Sequence, residues 1–427
     1  MRIVRADLEM QRQPFARPFA FKGAAFHEKW NLIVRLTDED GTEAVGVGGT
    51  AVLWSDPDVF SNQTEVGGNL LMAALLEFAL QQAVDREFPD PPAMLTELLP
   101  HVHDYGRTVT RNRGLRLTFS LIALVALDNA AWMLHAKRNG IATFDNLIPV
   151  AYRPFLADRQ SHLGLAPAAG YGMPVDELRA ILDTGVYILK IKIGQPGAEA
   201  DMVRKDIEWL DHIHRVGSQY STPMTDSGKI LYYLDANARY AKKETMARLL
   251  DHALKTGIHE HIVLIEEPFR NPDEFDVGDL PARFAADESV QTVEEVGTRT
   301  SQGYGAVAIK PAGKTLSLAF RMVRAAAEAG VPCFVADNGC IPLLVEWNKN
   351  VAARLPAFPG IRGGLIESNG PENYGNWADL IAAYPIPDAP WLTPGSGAFV
   401  LDDDYYRESG GIFLDPVPYS GMFRTKT

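Results

Sequence analysis

Apolar positions along this chain change their period twice. Up to about residue 60 they alternate and are broken by turn signals. Asn31-Leu-Ile-Val-Arg-Leu36 predicts a strand, Asp38-Glu-Asp-Gly41 a turn, and Glu43-Ala-Val-Gly-Val-Gly48 its partner. Helical spacing follows over about 66–84 and 115–138, the second run closing at Asn139-Gly140. From about Val150 short apolar runs recur with helical patterns between them. They are Val150–Phe155, Tyr187–Ile193, Leu231–Asp235, Ile262–Glu266, Arg283–Asp287, Ala306–Lys310, Cys333–Asp337 and Gly363–Glu367. Eight strands separated by seven helices predict a parallel sheet, and over about 220 residues they suit a closed barrel. The polar stretch Val216–Ile230 reads as an inserted loop, and the Pro-, Gly- and aromatic-rich tail after about 380 has no helical period.

At 427 residues the chain is long enough for two domains, and its 46% apolar and 22% charged residues are those of a globular protein. A formal net charge of −13 argues against a nucleic-acid surface. Two cysteines, Cys333 and Cys340, make no disulfide framework, which points to a reducing, cytoplasmic setting. The start MRIVRADLEM lacks a signal peptide's apolar stretch, and the most apolar run, Leu121–Leu127, is too short to span a bilayer. No membrane partner is expected. Any positive potential for an acidic ligand has to be built locally.

The strand ends carry the chemistry, because barrel enzymes place their reactive groups there. In chain order they are Lys190 and Lys192, Asp235, Glu266, Asp287 and Lys310. Lys190 and Lys192, two residues apart, share one face of their strand, opposite Leu189, Ile191 and Ile193. That face is the barrel interior, where two like charges need counter-charges or a ligand. One carboxylate ending a strand is commonly a cap, but three on consecutive strands repel unless they share a cation. An all-oxygen set without His or Cys suits Mg²⁺. Lys310 completes a pair of lysines around that centre.

Lys190-Ile-Lys192, Asp235-Ala-Asn237, Glu266-Glu-Pro268, Asp287-Glu-Ser289 and Lys310 resemble the motif series of the mandelate racemase/muconate lactonizing enzyme group of the enolase superfamily. Ala126-Leu-Asp-Asn-Ala-Ala-Trp132 resembles the helix preceding the barrel there. The resemblance runs in order from about residue 120 to 370. It implies an α/β fold, a modified (β/α)₇β TIM-like barrel with an N-terminal α+β capping domain. The expected parts are a cap over 1–138, a barrel over 139–380 and a segment over 381–427 returning to the cap. It also implies Mg²⁺ on Asp235, Glu266 and Asp287, neutralising the charge that develops when the proton α to a substrate carboxylate leaves. By the same resemblance Lys192 is the base on one face and Lys310 the acid/base on the other, with Lys190 helping to anchor the anion. Asn237, Asp337 and Glu367 are candidate substrate contacts, a salt bridge being the equal reading for Glu367.

Several features narrow this expectation. All ten histidines lie at or before His261, so the late-strand His of mandelate racemase-like members is absent and the lysine–lysine arrangement fits. Pro311-Ala-Gly-Lys314 stands where the group often has a Gly-Gly pair, and Leu365-Ile-Glu-Ser-Asn-Gly370 lacks the Asp-x-Asp of dipeptide epimerases. Phe15, Phe19, Phe21 and Phe26 read as a specificity lid or, equally, as cap core. Gly46-Val-Gly-Gly49 reads as a hairpin rather than a phosphate loop. The leading expectation is a racemase or epimerase acting on a small carboxylate, with β-elimination or cycloisomerisation by the same site as the alternative. A zinc hydrolase using His101 and His103 or His259 and His261, and a non-catalytic protein on this scaffold, are the other classes. A homo-oligomer is compatible with the resemblance, and no interface is read from the sequence.

Overall fold

The computed structural model describes residues 1–21 and 24–423. Its first unit is an antiparallel sheet of β1 (Ile3–Phe21), β2 (Ala24–Asp38) and β3 (Glu43–Gly49), in that order. The β2–β3 turn closes where the Asp38 carboxylate accepts the amide N–H groups of Asp40 and Thr42 at 3.0 and 2.8 Å. The β1–β2 hairpin is far longer, and its register carries Phe19 opposite Phe26 at its outer end.

Helices Glu65–Ala83, Leu117–Ala123 and Val125–Arg138 pack on this sheet, and helix Pro91–Thr110 packs on those three helices. The first matches the period over 66–84, with Thr64 as its cap, accepting the Gly67 N–H at 2.9 Å. The run over 115–138 is two helices bent by 47° at Leu124. Helix Pro91–Thr110 was not expected: Pro100 and Gly106 interrupt its pattern, yet Asp90 caps it, with Pro91 and Pro92 in its first turn. No single helix among the described residues is long and apolar enough to cross a membrane.

Gly46-Val-Gly-Gly49 forms the end of β3, and its glycines let the sheet touch helix Val125–Arg138. A Cβ on Gly46 would lie 2.1 Å from the Ala130 nitrogen. The helix is tied on both sides: Asn129 Nδ2 donates to the Val47 carbonyl at 2.9 Å, and Trp132 Nε1 to Ser317 Oγ at 3.0 Å.

The second unit is the barrel, formed by β4 (His162–Leu165), β5 (Ala168–Ala169), β6 (Ile188–Lys192), β7 (Leu231–Asp235), β8 (Ile262–Glu266), β9 (Phe284–Ala286), β10 (Ala306–Ile309), β11 (Cys333–Val335) and β12 (Gly364–Ile366). Pairing is parallel from β5 through β12 and on to β4. Because β4 and β5 are successive pieces of one segment broken at Ala166-Pro167, the curled sheet returns on itself through that segment. Counted this way there are eight strands, a modified (β/α)₇β barrel beneath an α+β cap.

Two expectations need correction. Val150–Phe155 is a 3₁₀ turn rather than a strand, since Pro149 and Pro154 deny it ladder donors, and the first strand begins at His162. The connection from β8 to β9 carries only a 3₁₀ turn, Pro272–Glu274, where one of the seven intervening helices was expected. Val216–Ile230 is indeed mostly loop, stitched by a Ser221–Lys229 bridge and joined to the barrel by a Thr225–Ile361 bridge. After residue 380 the chain adds β13 (Ala398–Val400), antiparallel to β4. It then reaches the cap, where the Arg35 guanidinium lies 4.8 Å above the Phe423 ring.

Candidate active site

The C-terminal ends of the barrel strands open into a narrow cavity roofed by the cap hairpin. All nine site residues proposed from the sequence line it: Lys190, Lys192, Asp235, Asn237, Glu266, Asp287, Lys310, Asp337 and Glu367. Around the ring β6 and β10 are four strands apart in eight, so Lys192 and Lys310 stand on opposite sides. The three acids occupy β7, β8 and the end of β9 between them.

Alternation along β6 turns both lysines inward while Leu189 and Ile191 pack outward on the helices. Lys190 Nζ lies 2.6 Å from Glu367 Oε1, 2.7 Å from Glu266 Oε2 and 2.9 Å from Asp235 Oδ2, and donates to the Tyr233 hydroxyl at 3.2 Å. Burial opposes its charge, but these three carboxylates outweigh it and hold the ammonium well above the ordinary lysine value. Lys192 Nζ contacts Asp235 Oδ2 at 2.5 Å and Asn237 Oδ1 at 2.9 Å. Asn237 and Ala238 both adopt positive φ, +44° and +59°, folding the chain back so that the Asn237 N–H meets Asp235 Oδ1 at 3.0 Å.

The acids divide by their partners. Burial pushes Asp235 up, yet Lys190 and Lys192 hold it far below the usual carboxylate range. Asp287 is likewise lowered against its burial, chiefly by Lys310 at 2.6 Å and Lys314 at 3.3 Å. Glu266 goes the other way: burial and the fields of Asp235, Asp287 and Glu367 exceed the help of Lys190 and raise it well above the ordinary value. Its Oε1 is buried without a hydrogen-bond partner. Among the described residues no three of His, Cys, Asp and Glu stand close enough together to enclose an ion, because lysines are interleaved between the acids.

Lys310 is a buried ammonium 4.5 Å above the Trp54 ring of the cap, and Asp287 raises it above the ordinary lysine value despite burial. Two further lysines were not anticipated. Pro311-Ala-Gly-Lys314, noted only as a departure, is a four-residue helix that carries Lys314 beneath Asp287, where it donates to the backbone carbonyl at 2.8 Å. Lys29 descends from cap strand β2 and donates to the backbone carbonyl and side-chain oxygen of Asn338 at 2.5 and 2.9 Å. Its burial lowers its pKa. No motif points to it, since it sits in a strand of mixed polarity.

Asp337 and Glu367 are anchored in the protein. Asp337 accepts the Cys340 and Asn369 N–H groups at 3.2 and 2.8 Å. Glu367 couples its Lys190 contact to an Asp337 N–H bond of 3.1 Å, so the salt-bridge reading describes its present state. Phe15, Phe19 and Phe26 line the cavity, while the Phe21 side chain lies outside the described residues. The histidine pairs lie elsewhere: His103 Nδ1 is 3.0 Å from Ser120 Oγ and His261 Nδ1 is 2.8 Å from the Ile230 carbonyl. His101 is exposed on its helix, and His259 meets the Pro281 carbonyl.

No protein-family model and no curated protein matches this sequence. Solved structures do match in fold. A mandelate racemase/muconate lactonizing protein from Herpetosiphon aurantiacus superposes with a TM-score of 0.64 at 16% identity, covering 94% of this chain and 96% of its own. A dipeptide epimerase from Methylococcus capsulatus, complexed with Mg and the dipeptide L-Arg-D-Lys, gives 0.59 at 20% identity over 88% and 92%. A 2-chloromuconate cycloisomerase from Rhodococcus opacus 1CP gives 0.60 at 18% over 94% of each chain. Over nearly their whole lengths, these proteins share one fold with this chain.

Proposed function

We propose that this chain belongs to the mandelate racemase/muconate lactonizing enzyme group. In this reading it removes the proton α to the carboxylate of a small-molecule substrate and passes through an enolate. The observation that carries it is the placement of two lysines on opposite sides of one eight-strand ring, with three carboxylates on the strands between.

The donor chemistry suits a hard divalent cation, although the acids here are spaced by the lysines paired with them rather than gathered around one point. It is oxygen only, and Glu266 Oε1 is a buried acceptor that nothing satisfies. Asp235, Glu266 and Asp287 would hold Mg²⁺, as the Methylococcus capsulatus epimerase is complexed with Mg. When bound, the ion supplies positive charge beside the substrate carboxylate and the developing enolate. Lys190, kept cationic by its three carboxylates, adds a fixed charge at the same end. Lys192 Nζ takes the α proton, with Asn237 Oδ1 orienting it. Lys310 Nζ stands on the far face, and protonation from there inverts the centre, giving racemisation or epimerisation.

A second reading has its own support. Lys310 is pinned by Asp287 and Trp54 and held as an ammonium. In that state it is a cation facing the enolate rather than a base, which suits β-elimination or cycloisomerisation. Deuterium entry at the α position, followed by NMR in D₂O with Mg²⁺, separates the two. Racemisation expects Lys192→Ala and Lys310→Ala each to lose exchange from one enantiomer. Loss in Lys192→Ala alone overturns two-base racemisation, and no exchange from any of a broad panel of acids removes the enzyme reading.

A further inference from the structure

We infer that Lys29 of the cap is a positioning residue for Lys310. It acts as a strut through Asn338 and the one-turn helix Pro311–Lys314, so that the far-face lysine is held in place only while cap strand β2 is seated on the barrel. This rests on the role given to Lys310 above and adds what fixes that lysine.

Helix Pro311–Lys314 has little of its own to hold it. It is four residues long, includes Gly313, and is closed by the Gly313 and Lys314 N–H groups on the Lys310 carbonyl at 2.9 and 2.7 Å. Thr315, which ends it, sits at φ +71°, an unfavourable conformation for a β-branched residue. Neighbouring segments therefore fix it. Asn348 Oδ1 accepts the Ala312 N–H at 3.1 Å, and Asn338 Nδ2 donates to the Ala312 carbonyl at 3.2 Å. Lys310 immediately precedes this helix and Lys314 is its last residue, so a shift at Ala312 moves both ammonium groups that meet Asp287.

Asn338 can serve Ala312 in one orientation of its amide, with nitrogen toward the carbonyl. Its oxygen is turned the other way by two donors, Lys29 Nζ at 2.9 Å and Cys340 Sγ at 3.1 Å. The thiol is the weaker donor, and an ammonium has no acceptor with which to favour the flipped amide. Lys29 Nζ also donates to the Asn338 backbone carbonyl at 2.5 Å, so one buried side chain fixes that residue at both ends. The way from cap to barrel is open for it: a Cβ on Gly49 of the neighbouring strand β3 would lie 2.4 Å from Lys29 Cε. The hairpin tip reaches the same loop by a separate route, Phe15 meeting Tyr374 edge-on at 5.1 Å and the Tyr374 hydroxyl donating to the Gly339 carbonyl at 2.7 Å. That route bypasses Asn338.

Amide hydrogen exchange of the full-length protein, read by mass spectrometry, tests the strut without reference to catalysis. Lys29→Met removes the donor, and Gly49→Ala keeps it but pushes it aside. Each should raise exchange over 311–314 about tenfold, the equivalent of one hydrogen bond, and leave β2, β3 and β6 as protected as in the parent. Phe15→Ala should leave 311–314 unchanged. In D₂O with Mg²⁺, Lys29→Met should slow, by about ten- to a hundredfold, the α exchange that Lys310→Ala abolishes, with KM and exchange at the Lys192 face unchanged. Adding Asn338→Ala to Lys29→Met should cost no more than the worse single change, because both act through one amide. Unchanged protection at 311–314 in both variants, protection lost evenly over cap and barrel, or equal slowing at both faces overturns the inference. If the parent shows no α exchange, or Lys310→Ala loses none, the role given to Lys310 fails, while protection at 311–314 still decides the strut.

Discussion

Replacing Lys190 by methionine removes one ammonium from the centre of three carboxylates while keeping most of the side chain's volume. Asp235, Glu266 and Glu367 lie within 2.6–2.9 Å of that ammonium and are essentially excluded from water. Breaking a buried pair costs about 3–5 kcal/mol, and here one cation serves three anions. Protonation limits the loss, with Glu266 taking up a proton first because its pKa already stands well above the ordinary value. The sign follows from linkage. A carboxyl whose folded-state pKa is raised contributes its stability below the unfolded value and loses it as pH rises through the folded one. Each pH unit in that window is worth at most about 1.4 kcal/mol. The variant should therefore be several kcal/mol less stable than the parent at pH 8 and should recover as the pH falls. Mg²⁺ should stabilise it more than it stabilises the parent, because ion and lysine compete for the same oxygens. An ion at a hundred times its Kd adds about 2.7 kcal/mol. Urea unfolding at pH 6 and pH 8, with and without MgCl₂, measures both. Equal stability of parent and variant at pH 8 without metal would refute the reasoning.

Gly46→Ala should cost about 1–3 kcal/mol or more in urea unfolding, because the new methyl group meets the backbone of helix Val125–Arg138. A neutral result would mean that β3 and the helix are not in contact there. Asp128 is buried with its pKa raised from 3.8 to about 6, mainly by desolvation, although it accepts from Ser317. Protonated on folding, it favours the native state below pH about 4. That contribution, roughly 3 kcal/mol, is lost as pH rises to about 6. Asp128→Asn should flatten this part of the stability–pH curve, and an identical slope in the variant would contradict the assignment. Trp54→Leu should leave the fold intact and lower α exchange severalfold, since the ring under Lys310 is lost; unchanged exchange would show that Trp54 does not tune that lysine.

What could be read in the sequence was what local geometry dictates. Period-two alternation was enough to put Lys190 and Lys192 on one face, and carboxylates ending apolar runs were enough to bring Asp235, Glu266 and Asp287 to one rim. What escaped depends on contacts between distant segments. Lys29 reaches the site only because the cap is folded over the barrel, and Lys314 because a four-residue helix turns it under Asp287. Helix Pro91–Thr110 is built against its own Pro100 and Gly106 by packing and a good N-cap. The first barrel strand was missed because His162-Leu-Gly-Leu165 is short and its pattern weak, whereas Val150–Phe155 looks more apolar, although Pro149 precedes it and Pro154 lies within it.

The contact between Phe15 and Tyr374 has a bearing on how such a protein can diversify. Two walls of the cavity are encoded some 350 residues apart, one in the first hairpin and one just after the last barrel strand. Neither is a self-contained module. A recombinant that inherits its hairpin from one parent and its final loop from another would pair an aromatic roof with a floor shaped for something else. New substrate ranges on this scaffold should therefore arise through paired changes in the first hairpin and in the loop after the last barrel strand, and libraries that randomise both segments together should outperform those that vary either one.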